Sequence, residues 1–119
     1  MLKTMYEFEI KYVKPLSVNC KLSRGKGKRF FINKEFKKYE EDVLLLMPKA
    51  KEQIKGSFGI SFSFYLPNAN QVDLDNLLKP LIDLCGKKGY FKNDNKCYIL
   101  EAQKFYSRDY LIKIKIFEI

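Results

Sequence analysis

The amino-acid sequence predicts an α+β domain of two layers, with two helices packed on one face of a mixed four-stranded sheet. Three observations carry that prediction. Four stretches read as strands, and in three of them apolar residues alternate with polar or small ones, the period of two that marks a half-buried strand. Two other stretches place apolar residues at helical spacing. A chain of 119 residues with 46% hydrophobic residues, ten Phe and eight Tyr is the size of one domain whose core needs no covalent staples. The expected order is β-α-β-α-β-β, in a single domain spanning residues 1–119.

The first strand is expected over residues 4–13, where Tyr6, Phe8 and Ile10 alternate with Glu7, Glu9 and Lys11. That alternation also argues against a signal peptide. Residues 14–32 show no periodicity. Pro15, Ser17 and Asn19 lead into Lys21, Arg24, Gly25, Lys26, Gly27, Lys28 and Arg29, which reads as a mobile basic loop. Asn33 is a candidate helix N-cap. From it Phe36, Tyr39, Val43, Leu44 and Met47 recur at helical spacing, and Pro48 marks the approach to the end. Residues 56–66 form the next strand, with Phe58, Ile60, Phe62 and Phe64 on one face. The second helix is expected from near Asp73 to Cys85, with Gly86 as its stop. Leu74, Leu77, Leu78, Leu81, Ile82 and Cys85 make its apolar stripe, and Pro80 removes a backbone donor inside it. A turn follows over 87–95. Residues 96–105 and 110–117 are the last two strands, separated by Arg108-Asp109. Ile112, Ile114 and Ile116, together with the aromatic first and third elements, offer more apolar surface than two helices are expected to cover. A homodimer is expected to bury the remainder.

Composition excludes several chemistries. There is no histidine, so Ser-His-Asp and Cys-His catalysis are out. Cys20, Cys85 and Cys97 are odd in number and widely spaced, which indicates neither a zinc site nor a disulfide framework. They read as reduced thiols of a cytoplasmic protein. No apolar run approaches the roughly 20 residues that span a bilayer, so no membrane partner is expected. Nor does any motif point to a small-molecule cofactor. The net charge of +9 suits a nucleic-acid partner, a ribosomal role or an anionic membrane surface, and does not choose among them.

Acid is concentrated in one place in this basic chain. Asp73-Leu74-Asp75-Asn76-Leu77-Leu78-Lys79 opens the second helix, and Asp94 lies in a turn downstream. Three carboxylates held together repel one another unless a cation neutralises them. Hard divalent cations take oxygen ligands, and Mg²⁺ takes one to three carboxylates while keeping several waters. A metal there would polarise a phosphate and activate a bound water, and Lys79 could neutralise charge developing in the transition state. Each residue also has a plain structural role open to it. Asp73 and Asp75 suit a helix start as caps. Asp75, Lys79 and Asp83 follow at steps of four, so Lys79 could form a surface pair with either carboxylate. Asp94 suits a turn. Spacing alone leaves both roles open. In the basic segment, Lys21, Arg24, Lys26, Lys28 and Arg29 are candidate phosphate contacts, and the plain alternative is a solvated loop.

The stretch from Asp73 onward resembles the RusA family of Holliday-junction resolvases. That family's motif is D-x-D-N-x-x-K, an aspartate four residues later, and an Asp-Asp pair beyond a short turn. Here it reads Asp73-Leu74-Asp75-Asn76-Leu77-Leu78-Lys79, then Asp83, then Asn93-Asp94. Pro15, Ser17 and Asn19 look like the family's loop after the first strand. The resemblance implies that Asp73, Asp75 and Asp94 bind metal and that Lys79 is catalytic, with Asn76, Asp83 and Asn93 in support. Asn93 departs from the pattern, since the family has aspartate there. The second aspartate of the pair is the essential one, and it is present as Asp94. The resemblance further implies a Mg²⁺-dependent endonuclease, with Mn²⁺ as a possible substitute, acting as a homodimer on four-way DNA junctions. Such proteins are frequently encoded by phages and prophages.

Two other readings are open from the residues. One is a non-catalytic basic nucleic-acid-binding module. The other is a metal-dependent nuclease of other branched DNA.

Overall fold

The computed structural model describes residues 2–11, 22–24, 30–32 and 34–119; for 22–24, 30–32 and 34–36 the backbone alone is described. The elements in chain order are β1 (Lys3–Lys11), β2 (Leu22–Arg24), β3 (Phe30–Ile32), α1 (Lys34–Leu46), β4 (Phe58–Leu66), α2 (Leu74–Lys88), β5 (Cys97–Tyr106) and β6 (Leu111–Glu118). β1, β6, β4 and β5 lie side by side in that order as one mixed sheet.

The alternating stretches fold as strands because each buries one face. On β4, Phe58, Ile60, Phe62, Phe64 and Leu66 are buried; on β6, Ile112, Ile114 and Ile116; on β1, Ile10. β1 pairs antiparallel with β6, and β6 antiparallel with β4, so these stripes join into one apolar face. Both helices cover it. α1 contributes Tyr39, Val43 and Met47, and α2 contributes Leu77, Leu81, Leu84 and Cys85. Burial pushes the Cys85 thiol up to about 12. The helices are tied to each other where Lys87 Nζ meets the buried Glu40 at 3.0 Å and Lys88 Nζ donates to the Leu44 carbonyl at 2.7 Å.

The other face of the sheet is polar on β1 and β6. Glu7 lies opposite Lys115 and Glu9 opposite Lys113. The exceptions on β6 are Leu111 at its start and Phe117. The Phe117 ring lies across Gly59, where an added Cβ would fall 2.4 Å from Phe117 Cζ, so glycine is required for the close approach.

Three features differ from the sequence reading. First, β2 and β3 pair antiparallel as a short hairpin within the stretch read as a loop. Strands of three residues are too short to display a period. The Asn33 cap and the Pro15, Ser17, Asn19 loop lie outside the described residues. Second, α2 runs through Pro80 and past Gly86 to Lys88 and ends at Gly89, whose φ of 97° is the left-handed cap. Gly86 serves packing instead: a Cβ there would meet Phe91 Cε1 at 3.3 Å. Third, the isoleucines of β6 and the aromatics of β4 are already buried within one chain, so they leave no surplus for a second subunit. Among the described residues no helix is long and apolar enough to cross a membrane.

Candidate active site

β4 and β5 run parallel, and parallel neighbours need a crossover connection. α2 is that crossover, and the motif residues ride on it. Lys104 of β5 fixes its entry by donating to the Val72 carbonyl at 2.7 Å. Asp73 is the N-cap residue, with extended backbone, and its carbonyl accepts from the Asn76 N–H at 3.2 Å. Its carboxylate makes no capping hydrogen bond. The capping role therefore does not account for that side chain. Asp75 sits in the first turn of α2, where the positive end of the helix dipole favours an anion. Both carboxylates are exposed, and neither has a hydrogen-bond or ion-pair partner among the described residues. Asn76 beside them is half-buried.

Lys79 lies one turn beyond Asp75. Its ammonium is 3.1 Å from Asp83 Oδ1 and 3.8 Å from Asp94 Oδ2. The hydrogen bond and charge of Asp83 hold the Lys79 ammonium above its ordinary pKa, and Asp94 adds to the effect. Two carboxylates far apart in sequence thus share one lysine.

The turn that carries Asp94 is positioned from outside itself. A short 3-10 turn, Asp94–Lys96, leads into β5, and Asn93 precedes it without a side-chain cap. Just upstream, the Ile54 N–H donates to the Tyr90 carbonyl at 3.0 Å, and the Lys92 N–H donates to the Ile54 carbonyl at 3.1 Å. The Tyr90 hydroxyl donates to the Pro48 carbonyl. Phe91 stacks on Phe58 with ring centroids 4.4 Å apart. Gly86 admits Phe91 against α2. The result is a cleft of about 320 Å³ lined by Asp83, Lys87, Phe91, Lys92, Asn93 and Asp94 among others.

The oxygen-only donors are of the kind a hard divalent cation takes. Among the described residues, however, no three such side chains converge closely enough to form a metal cage. What is brought together is Lys79 with Asp83 and Asp94; Asp75 stands one turn earlier on α2, and Asp73 just before its first residue. Of the basic residues read as phosphate contacts, Lys21, Lys26, Lys28 and Arg29 lie outside the described residues, and Arg24 closes β2. Lys87 and Lys92 at the cleft were not singled out from the sequence; the position of Lys92 two residues before Asp94 was the available signal.

With this geometry in hand, comparison with known proteins is decisive. The model of the endodeoxyribonuclease RusA family matches residues 13–117. The chain belongs to that family. The RusA match takes in both helices and every motif residue from Asp73 to Asp94. The chain is 28% identical over 127 aligned positions to the crossover junction endodeoxyribonuclease RusA of Aquifex aeolicus (strain VF5), covering 99% of this chain and 98% of that one. It is also 30% identical over 93 positions to the crossover junction endodeoxyribonuclease rusA of Enterobacteria phage HK97, covering 76% of this chain and 75% of the phage protein.

Proposed function

We propose that this RusA-family chain is a divalent-metal-dependent endonuclease that resolves four-way DNA junctions by paired, symmetric nicks. The observation that carries the reading is the placement of Lys79 between Asp83 and Asp94, on the helix whose start carries the two unengaged carboxylates Asp73 and Asp75. Both relatives are named for crossover junctions, which supports the same substrate here.

Asp73, Asp75 and Asp94 are the residues that would hold Mg²⁺, or Mn²⁺ in its place. The ion would supply Lewis-acid polarisation of the scissile phosphate and a water of lowered pKa. Lys79 is the residue that meets the phosphate. Asp83 aims it, so that its positive charge is fixed where negative charge grows in the transition state. Lys87 and Lys92 extend the positive surface beside the cleft, and the basic residues of the 21–29 segment add further contacts to the DNA backbone. A homodimer completes the scheme. A four-way junction has two equivalent scissile phosphates, and a two-fold pair of subunits presents two equivalent sites to them.

The test is cleavage of a synthetic mobile junction beside linear duplex and flapped substrates, with and without Mg²⁺. Metal-dependent symmetric nicking of the junction alone is expected. Binding with no cleavage of any substrate in Mg²⁺ or Mn²⁺ would replace this reading with that of a basic binding module. Preferential cutting of flaps would replace the substrate.

A further inference from the structure

β5 is the one long strand of the sheet that combines an open edge with an apolar surface. It occupies the outside position in the order β1, β6, β4, β5, so its ten residues are paired on one side only among the described residues. Eight large apolar side chains are exposed in the described residues, and four of them, Tyr98, Leu100, Phe105 and Tyr106, are on this strand. Lysine, proline or a bulge normally protects such an edge. Here a bulge at Tyr98, where Phe58 pairs with Cys97 and Gly59 with Ile99, interrupts only the start of the strand, and the single lysine, Lys104, has its ammonium drawn inward to the Val72 carbonyl. β1, the opposite edge, differs: its exposed residues, Lys3, Thr4, Glu7, Glu9 and Lys11, are all polar.

We propose that the β5 edge is the docking surface for a second copy of this chain, the two β5 strands pairing antiparallel about a two-fold axis through Ala102. This names the interface of the dimer invoked above and rests on that part of the reading. The strand's own sequence selects the occupant and the register. With Ala102 opposite Ala102, Glu101 meets Gln103, Leu100 meets the stem of Lys104 and Ile99 meets Phe105, and the bulge at Tyr98 falls outside the paired stretch. No like charges face each other. Moving the axis one residue back would set Glu101 against Glu101, which is unfavourable. Paired residues in this register also share a face, as a continuous sheet requires. Phe105 already stacks on Tyr65 at 5.0 Å on the side away from the helices, so the incoming Ile99 would extend an existing apolar patch.

The geometry has a consequence for the site. A two-fold axis normal to the sheet keeps both copies of α2 on the same face. α2 packs against β5, and Lys104 holds the residue before Asp73. Two sets of aspartates would therefore flank the seam and face the same side, toward one DNA molecule.

The full-length chain tests this with reciprocal charge. Gln103→Glu places two like-charge pairs across the seam, and Gln103→Lys places two attractive ones, at a position exposed enough to leave folding alone. Sedimentation should show a wild-type dimer at micromolar concentration, weakened roughly tenfold by the first change and strengthened by the second. Circular-dichroism melts report that both stay folded. Ala102→Cys, with Cys20 and Cys97 replaced by Ser, should give a disulfide-linked dimer on mild oxidation, and Lys113→Cys on the open face should not. A wild-type monomer, a dimer indifferent to both charges, or cross-linking through Lys113→Cys in preference to Ala102→Cys would overturn the interface. Junction cleavage is scored separately: a dimer that obeys the charge rule yet cuts nothing upholds the interface and removes the catalytic reading.

Discussion

Lys79 pairs with Asp83, one turn further along α2, at 3.1 Å, and not with Asp75, one turn back. The lysine is thereby turned toward Asp94, and Asp75 keeps its carboxylate unengaged. Lys79→Ala is expected to lower junction cleavage by on the order of 10²–10³ if the ammonium stabilises transition-state charge. Asp83→Asn should cost clearly less, because the lysine keeps its charge and loses only its aim. Single-turnover rates on a mobile junction measure both. Equal, small effects would reduce the pair to a surface contact.

Asp73→Asn, Asp75→Asn and Asp94→Asn should each abolish cleavage and leave junction binding intact. Metal chemistry needs the carboxylates, whereas affinity comes mainly from Lys and Arg contacts to phosphate. Mobility-shift and cleavage assays on the same preparations separate the two. Turnover near wild type in any of the three would remove that residue from the site.

Neutralising Lys21, Arg24, Lys26, Lys28 and Arg29 together should weaken binding and flatten its salt dependence. Each DNA phosphate that the protein ceases to neutralise lowers the slope of log affinity against log salt by about one unit. An unchanged slope would show that this segment is solvated in the complex.

Gly59→Ala should destabilise the fold by about 1–3 kcal/mol, the usual cost of forcing extra volume into packed surroundings. The new methyl would meet the Phe117 ring at 2.4 Å and Ile99 Cβ at 3.0 Å, so two neighbours must give way. Urea titration of the variant measures the loss.

Alkaline pH should erode stability through Cys85. Its thiol is raised from the ordinary 9.0 to about 12 by complete burial. The folded chain keeps that proton and the unfolded chain releases it above pH 9, so the contribution is whole below pH 9 and is lost as pH rises toward 12. The slope is about 1.4 kcal/mol per pH unit for one such group. Above pH 10 the Tyr39 and Tyr90 hydroxyls, also raised by burial, act in the same direction. Unfolding midpoints at pH 9 and pH 10 should therefore fall less in Cys85→Ala than in wild type.

Where a pattern is long and one-sided, the sequence is readable. Phe58, Ile60, Phe62 and Phe64 alternate without interruption, and β4 is one of the two inner strands beneath the helices. The stripe from Leu77 to Cys85 announces α2 in the same way. What escapes is decided by contacts between distant segments. Gly86 and Gly89 are equally good stops by local criteria; Gly89 takes the left-handed φ of 97°, while Gly86 packs against Phe91, which arrives from beyond the helix. Asp75 and Asp83 are equally spaced from Lys79, and the approach of Asp94 goes with the choice of Asp83. β2 and β3 are too brief for any periodicity to reveal. The open edge of β5 follows from the order of strands in the sheet, which no single strand encodes.

The two backbone hydrogen bonds that join Ile54 to Tyr90 and Lys92 have a genetic implication. The segment between α1 and β4 places no side chain beside Lys79, Asp83 or Asp94, yet it suspends the turn from which Asp94 reaches Lys79. Inactivating lesions should therefore surface at Ile54 and Pro48, among codons that an inspection for reactive groups would pass over. A suppressor of such a lesion would be expected near Tyr90 or Phe91, across the same suspension point.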